Sequence, residues 1–238
     1  RPDGQCCWHG GGGHVFPQPA IAAMKFQVGK ERPGHFQPGY PEQWDIVSHL
    51  ECAAGIPQTL FAITTRKANG QPNVCFHSWS CFHGDKTAFF AVLGGLFQHT
   101  HTYANILREG IFCLNFLPLS AYDGLCKTIL YNQEDLDEIQ AGGFTLEPAA
   151  TMDVPCIRES FLQLECTLEE AKDLSGAGIT AMVTGRVQQV RLEEAYAREL
   201  DRRYGAAGFM LLASAPQNLQ TGQASPSRIL TLNIARYD

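Results

Sequence analysis

The chain has few charged residues, no excess of basic ones and no long apolar run. Charged side chains make up 18% of its 238 residues, and 24 acidic against 18 basic residues give a formal net charge of −6. Nucleic-acid-binding proteins normally present a basic surface, so this balance argues against nucleic acid as a partner. No apolar run approaches the ~20 residues that a membrane-spanning helix needs, which argues against a membrane partner. The 45% of apolar residues is ample for the core of one large or two small domains.

The sequence also lacks the short motifs of several enzyme classes. It contains no nucleophile elbow, Walker loop, HExxH or CxxC pair. Its nine cysteines are irregularly spaced and form no recognisable disulfide framework. Cys75, Cys113 and Cys166 fall inside strand-like runs, where a thiol most often acts as a small buried hydrophobe. We therefore expect a cytoplasmic protein.

The N-terminal part differs from the rest in composition. Residues 1–23 contain four consecutive glycines, two cysteines and no amphipathic period, and they precede Met24. We expect a disordered leader, which upstream translation with Met24 as the true start would explain. The alternative is a metal-binding tail, built from Cys6, Cys7, His9 and His14, although no paired ligand spacing of zinc type occurs there. Residues 25–41 are rich in Pro and Gly and predict an extended arm, which leaves 42–238 as a single domain with a C-terminal extension.

Period-two patterns predict a series of strands. Residues 59–65 and 72–80 flank the turn 67–70 and indicate a β-hairpin. Further strands are expected at 87–93, 110–116, 161–169, 179–191 and 228–236. The clearest pattern is at 161–170, where Leu162, Leu164, Cys166 and Leu168 alternate with polar residues and predict a half-buried strand.

Helical patterns are fewer. They predict helices at 100–109, 121–129, 133–140 and 192–204, and the start of a short helix at 41–47. Many antiparallel strands with a few helices between them predict a mainly β fold, a β-barrel with helical insertions, rather than repeated βαβ units.

The stretch 94–106 combines two glycines, hydroxyl and imidazole side chains, and the start of a helix. Thr100 or Thr102 is a typical helix N-cap before the apolar stripe of Tyr103 and Ile106. The unpaired N–H groups of a helix N-terminus can bind a phosphate. The same residues also fit an ordinary capped surface helix, so both interpretations stay open at this point.

Histidines and a tryptophan allow other ligands. His99 and His101 could bind a metal, but they lie where a turn is expected and no carboxylate is near in sequence. His77 and Trp79 share one face of an extended segment and could flank a planar ligand. A tryptophan that packs on the core is the alternative.

Several segments together resemble the flavin reductase-like family. The resemblance lies in 56–65, 69–73, 78–80, 98–106 and 112–116, and it continues through 141–144, Pro155, 164–166 and 185–187. Their order and spacing match as a set, over roughly residues 45–192. Flavoredoxin-type proteins are the most similar members.

The resemblance implies an FMN-binding split β-barrel that forms a homodimer with FMN at the subunit interface. It places the flavin ring against 73–80 and the phosphate at the start of the helix. The cofactor-binding residues so implied are Asn73, Cys75, His77, Ser78, Trp79, Ser80, Gln98, His99, Thr100, Thr102 and Asn105. No catalytic side chain is assigned, because the flavin itself carries the redox chemistry.

Two positions depart from the family pattern. Many relatives carry Arg or Lys near the phosphate, where this chain has Gln98 and His99. A histidine that many flavin reductases place before the late Gly-x-Val strand is replaced near Thr180, which puts the use of NAD(P)H in question.

Three functional hypotheses follow. The first is a flavin reductase-type oxidoreductase that passes electrons from NAD(P)H or a small redox protein through bound FMN. The second is a non-catalytic flavin-binding or electron-carrier protein. The third is a metal or haem binder that uses His77, His83, His99 and His101.

Overall fold

A computed structural model describes residues 38, 47–130 and 132–235 of the chain. The predictions for the leader and its metal-binding tail lie outside these residues. The same is true of the extended arm and the helix start at 41–47, apart from Pro38 and Val47.

Eleven antiparallel strands dominate the described ranges. They are β1 (Gln58–Arg66), β2 (Pro72–His77), β3 (Ser80–Gly84), β4 (Phe89–Phe97), β5 (Ile111–Phe116), β6 (Leu146–Pro148), β7 (Pro155–Ile157), β8 (Leu162–Lys172), β9 (Thr180–Leu192), β10 (Met210–Ala213) and β11 (Arg228–Thr231). Nine of them form one curled sheet in the order β11-β10-β1-β5-β8-β9-β4-β3, and β2 pairs with β1 outside this path. β6 and β7 form a separate two-stranded sheet. The mainly β fold predicted from the patterns is confirmed.

Short helices connect the strands. They are α1 (Leu50–Ala53), α2 (His101–Glu109), α3 (Tyr122–Thr128), α4 (Glu138–Gly142) and α5 (Glu194–Arg198), with 3-10 turns at Val47–His49, Leu119–Ala121, Leu200–Arg203 and Gly205–Ala207. None of the described helices has the length and apolarity needed to cross a membrane.

Some predicted elements differ from the observed ones. The strand predicted at 72–80 ends at His77 and resumes as β3 at Ser80, because the chain bends at Trp79. The helix predicted at 192–204 is wrong as one element, since β9 runs to Leu192 and α5 is followed by a separate 3-10 turn. The helix predicted at 133–140 begins at Glu138. β6, β7 and β10 were not predicted.

Strand β1 is buried on both faces, which explains its nearly continuous apolar run. Phe61 and Ile63 belong to a core cluster inside the curled sheet, together with Phe116 and Phe161. Leu60 and Ala62, which point to the opposite face, pack under α3 and α4 with the residues Val74, Leu117, Leu125, Ile139, Ile157 and Met210. Because β1 packs into a core on each face, its position is fixed. Its first residues, Gln58 and Thr59, line the groove described below.

Strand β8 is more buried than its alternating pattern predicts. Glu165, expected on a solvent-facing side, is fully buried. Its carboxylate accepts hydrogen bonds from Ala150 N at 2.6 Å and from Thr151 N and Oγ1 at 2.9 and 2.7 Å. Burial alone would raise the pKa of Glu165, but these donors hold that pKa below its usual value. The half-buried strand is therefore a wrong prediction for 163–166, where a loop covers the polar face.

A buried ion pair joins the β1–β2 turn to α4. Lys67 Nζ lies 3.0 Å from Glu138 Oε1, and both side chains are at most 4% exposed. The same ammonium group donates to the carbonyls of Gln133 and Leu136 at 2.6 and 3.0 Å, while Glu138 also accepts from Val74 N. Each charge thus has several partners, which is the condition under which a buried ion pair is tolerated.

We predict that Lys67→Met lowers the free energy of unfolding by about 3–5 kcal/mol, because it leaves the buried Glu138 carboxylate without its counter-charge. Urea denaturation measures the change. The matched control is Arg198→Met, which removes the ion pair with Glu194, whose two side chains are both 75% exposed. Such exposed pairs contribute about 0–1 kcal/mol. Equal losses in the two variants would contradict the prediction.

Candidate functional site

A groove of about 1130 Å³ opens beside the bend between β2 and β3. Its walls come from the segment around α1, the start of β1, the bend itself, the middle of β4 and the β8–β9 loop. The described lining residues are Ser48, His49, Glu51, Ile56, Pro57, Gln58, Thr59, Trp79, Ser80, Gly94, Gly95, Phe97, Ser175, Ala177, Ile179 and Thr180. Small-molecule sites commonly have volumes of about 300–1,000 Å³, so the groove is large enough for a cofactor.

The floor of the groove is a close contact between Trp79 and two glycines of β4. Trp79 has a left-handed φ of 53°, and its carbonyl accepts a hydrogen bond from Gly94 N at 2.6 Å. The pairing of β4 with β9 shifts register between Leu93 and Leu96. A Cβ at Gly95 would lie 2.5 Å from Trp79 Cε3, so the indole can pack there only because residue 95 has no side chain.

Three residues that line this groove carry buried polar atoms without partners. Gln58 Oε1, Trp79 Nε1 and Ser80 Oγ are buried and have no hydrogen-bond partner within the described part of the chain. All three residues line the groove. Buried polar groups in folded proteins are almost always paired, so an unpaired acceptor, donor and hydroxyl on three residues of one groove point to a ligand.

The other predicted residues of the ring-binding segment, Cys75, His77 and Ser78, do not line the groove. Burial lowers the pKa of His77 to about 4, although the Gly94 backbone partly opposes this effect. Its Nε2 has no hydrogen-bond partner among the described residues, and its ring lies edge-on to Phe61 at 5.7 Å. Burial also raises the pKa of the Cys75 thiol to about 11, so this cysteine is unreactive. Ser78 is buried as well.

Three of the predicted cofactor-binding residues, Asn73, Thr102 and Asn105, meet in a buried polar cluster. Asn73 Nδ2 donates to Thr102 Oγ1 at 2.8 Å and to Thr65 Oγ1 at 3.1 Å, and Asn105 Nδ2 donates to Thr65 Oγ1 at 3.0 Å. Asn73, Thr102 and Asn105 are each 3% exposed. The cluster fastens α2 to β1 and β2, and none of its members lines the groove. Their contact with a cofactor stays a prediction.

The start of α2 has the predicted geometry. Thr100 is the N-cap, with its Oγ1 accepting from Tyr103 N at 3.3 Å, and the same hydroxyl donates to the Phe97 carbonyl at 2.8 Å. His99 is exposed, with its ring 5.5 Å from that of Phe97. The structure therefore confirms a capped helix, while a phosphate at its end stays a prediction.

Gln98 has a role that the sequence did not suggest. Its Nε2 donates to Asp173 Oδ2 at 3.0 Å and to the Thr180 carbonyl at 3.1 Å. Both amide hydrogens are thus used, which leaves Oε1, an acceptor only. Gln98 would have to give up these bonds to replace a cation at a phosphate.

The histidines do not form a metal centre in the part of the chain that the structure describes. There, no group of three or more His, Cys, Asp or Glu residues could hold a metal ion. His101 instead pairs with Glu134, with 3.3 Å between Nε2 and Oε2. His83 is an exposed residue of strand β3, with its ring 6.0 Å from that of Phe90.

We predict that His77 makes the apoprotein less stable at mildly acidic pH. Its pKa is lower in the folded protein, so below about pH 6.5 only the unfolded chain is protonated, and stability is lost as the pH falls towards 4. For a folded pKa of about 4, the loss between pH 7 and pH 5 is roughly 2 kcal/mol. Urea denaturation at several pH values measures it.

His77→Gln should flatten this pH dependence, whatever it does to stability at pH 7. The control is His83→Gln, at an exposed position of β3, which should retain the wild-type slope. A slope that persists in His77→Gln would assign the effect to another group.

Comparison with known proteins identifies the family. The sequence model of one protein family, the flavin reductase like domain, matches residues 53–208. No curated protein matches the chain. Among solved structures, a Shewanella frigidimarina protein with a split-barrel domain superposes with a TM-score of 0.65 at 19% identity, over 86% of this chain and 98% of that one. Component B of nitrilotriacetate monooxygenase from Bacillus cereus gives 0.64 at 15% identity, over 83% and 95%.

Flavoredoxin of Desulfovibrio vulgaris gives a TM-score of 0.58 at 16% identity, over 77% of this chain and 91% of that one. At these identities the likeness to solved structures establishes the fold, which is the predicted split barrel. The family model covers well over half of the chain, from Ala53 at the end of α1 to Gly208 before β10. The protein therefore belongs to the flavin reductase like domain family.

Proposed function

We propose that this protein binds FMN in the groove beside Trp79 and uses it as a flavin reductase-type oxidoreductase. The observation that carries the proposal is the set of unpaired buried atoms on Gln58, Trp79 and Ser80. Membership of the flavin reductase like family supports a flavin as the ligand that pairs them.

The residues present fit an isoalloxazine ring. The polar edge of that ring carries both carbonyl acceptors and an N–H donor, so it can pair with the Trp79 indole N–H, the Ser80 hydroxyl and the Gln58 carbonyl oxygen. Gly94 and Gly95 place no side chain on the floor, so the Trp79 indole can pack there and form part of the surface that a flat ligand would contact. Trp79 and Phe97 supply aromatic surface at the same groove. The chemistry supplied by bound FMN is acceptance of electrons from a reduced donor and their release to an acceptor.

The phosphate needs a different explanation. None of the described residues that line the groove is Lys or Arg, and its titratable lining groups are His49 and Glu51. We propose that a second copy of the chain supplies the missing cation in a homodimer. An apolar groove of about 570 Å³, lined in part by Phe89, Val190 and Leu232, supports this, because each of these three side chains is at least 40% exposed.

The electron donor is proposed to be NAD(P)H or a small redox protein. Thr180 lines the groove, near the position at which the family resemblance implies a histidine, so this chain would approach a nicotinamide with a hydroxyl group. A hydride transfer needs no protein acid or base at that position, because the flavin accepts the hydride itself.

We predict that the purified protein binds FMN and quenches its fluorescence. If a Lys or Arg of the second subunit contacts the phosphate, FMN should bind more tightly than riboflavin, which has no phosphate. Titration of the apoprotein with FMN, riboflavin and FAD measures this, and NADH and NADPH oxidation with added FMN measures turnover. Flavin binding without oxidation of either nucleotide would favour the second candidate, an electron carrier with another donor. Failure of all three flavins to bind would reject the proposed function.

We predict that Gly95→Ala weakens FMN binding about tenfold, equivalent to about 1.4 kcal/mol. The new Cβ would lie 2.5 Å from Trp79 Cε3 and displace the indole from the groove floor. The matched control is Gly110→Ala, since Gly110 has a similar φ of 69° but no atom within 4 Å of the added Cβ. Both variants strain the backbone, and Gly95→Ala alone should move Trp79. Unchanged FMN affinity in a folded Gly95→Ala variant would show that the indole is not part of the site.

A further inference from the structure

The loop between β8 and β9 is built around one carboxylate. Asp173 Oδ1 accepts from Ser175 N and Oγ, both at 3.0 Å, and from Gly176 N at 2.7 Å, while Oδ2 accepts from Gly178 N at 2.7 Å. Gly176 and Gly178 both have a left-handed φ of 71°. A loop with two such glycines has many alternative conformations, and the four hydrogen bonds to Asp173 select one of them.

Electrostatics reinforces this arrangement. The Gly178 N–H, followed by the Gly176 N–H, the Ser175 hydroxyl and the Gln98 amide, lowers the pKa of Asp173 to about 2, against a smaller desolvation effect. Asp173 is therefore ionised at all ordinary pH values, and charge-assisted hydrogen bonds of this kind are stronger than neutral ones.

Gln98 ties this loop to the end of β4. Its backbone N–H donates to the Ile179 carbonyl at 2.9 Å, and its side chain donates to Asp173 and to the Thr180 carbonyl. One residue thus contacts both ends of the loop, directly after Phe97 on the groove floor.

The loop is also a wall of the groove. Ser175, Ala177 and Ile179 line it, together with Thr180 at the start of β9. Ser175 and Thr180 separate it in part from a neighbouring cavity of about 360 Å³, which also reaches Trp79 and Ser80. A shift of the loop would change the shape of both spaces, and a ligand site must be held within about 0.5 Å to function well.

We propose that Asp173 and Gln98 are positioning residues for the flavin site, Asp173 by fixing the conformation of 175–178 and Gln98 by joining that loop to β4. The inference rests on the proposed function, since the ligand positioned is the flavin. It goes beyond that function in two ways. Gln98 holds a wall of the groove in place instead of binding the phosphate, and Asp173 gains a role that no sequence pattern indicated.

The chain contains a matched control for Asp173. Asp85 organises the β3–β4 turn in the same way, with its Oδ1 accepting from Thr87 N and Oγ1 at 2.7 Å and from Ala88 N at 3.2 Å. Neither Asp85 nor Thr87 lines the groove. Asp85→Ala therefore removes an equivalent turn anchor at a distance from the proposed ligand.

The test compares FMN binding by the full chain with Asp173→Ala, Gln98→Ala, the double variant and Asp85→Ala. We expect the Kd for FMN to rise about tenfold in Asp173→Ala and about threefold in Gln98→Ala, and to stay within about twofold in Asp85→Ala. In the double variant, the increase in the Kd for FMN should be smaller than the product of the two single increases, because the two side chains are hydrogen-bonded to each other. The visible circular dichroism of saturated FMN should change in Asp173→Ala and not in Asp85→Ala, whatever their thermal stabilities.

Several results would overturn the inference. If wild type binds FMN and Asp173→Ala matches Asp85→Ala in both Kd and dichroism, Asp173 is an ordinary turn residue. If Asp173→Ala does not fold, Asp173→Asn and Gln98→Ala decide the question, and wild-type values in both reject the proposal. Wild-type protein that binds no flavin rejects the proposed function itself, and this outcome is visible before any variant is measured.

Discussion

The groove depends on one backbone hydrogen bond, from Gly94 N to the carbonyl of Trp79 at 2.6 Å. It joins the bend after β2 to the irregular middle of β4, where the register with β9 shifts. In a continuous strand from β2 to β3, the side chains of Trp79 and Ser80 would point to opposite faces of the sheet. Strand pairing would then satisfy their backbone groups, and neighbouring side chains would cover the indole. Because Trp79 is left-handed and Gly95 has no side chain, the indole instead packs at the groove floor. The indole N–H and the Ser80 hydroxyl are buried there without a hydrogen-bond partner among the described residues. Strained backbone of this kind is typical of functional sites, because it persists only where the surrounding structure holds it.

The residues that resemble the family separate into two sets once they are placed in space. Trp79 and Ser80 line the groove, whereas Asn73 and Asn105 donate to Thr65, and Asn73 also donates to Thr102. None of these four partners lines the groove. Asn73, Thr102 and Asn105 have the polar character and fixed spacing of a binding motif. The same properties are needed to attach a helix to a sheet through buried hydrogen bonds. A partly satisfied network there would be costly, so these residues constrain one another. Their effect on the groove is indirect, since they fix where α2 begins and hence where β4 ends.

The sequence predicted local features well where one physical signal dominates. The helix at α2 follows from the Thr100 cap, the apolar stripe and the left-handed Gly110 at its end. β8 and β9 follow from alternation, as does most of β1 from its apolar run. The break at Trp79 could not be predicted, because residues 72–80 have unbroken strand chemistry and the bend is set by the distant Gly94. Short strands such as β7, with three residues, carry too few positions for a period. Gln58 lies in the segment 56–65 that resembles the family, but it was missed as a site residue because only tertiary packing brings it to the groove. Asp173 was missed because its proposed role depends on the loop that it holds, and no local motif marks it.

The charge distribution of the groove determines how a flavin would be held there. A phosphate next to Lys or Arg gains from direct Coulomb attraction, which at 4 Å is about 4 kcal/mol at an effective dielectric constant of 20. The described lining offers no such group, and Glu51 contributes the opposite sign. Within one subunit, the proposed affinity therefore comes from the ring, through hydrogen bonds to Gln58, Trp79 and Ser80 and through the aromatic surface of Trp79 and Phe97. Hydrogen bonds and ring contacts depend on distance far more steeply than charge attraction does. A site of this kind therefore tolerates less displacement of its walls than a cationic site does. For this reason the proposed function depends on the four hydrogen bonds by which Asp173 fixes the conformation of its own loop.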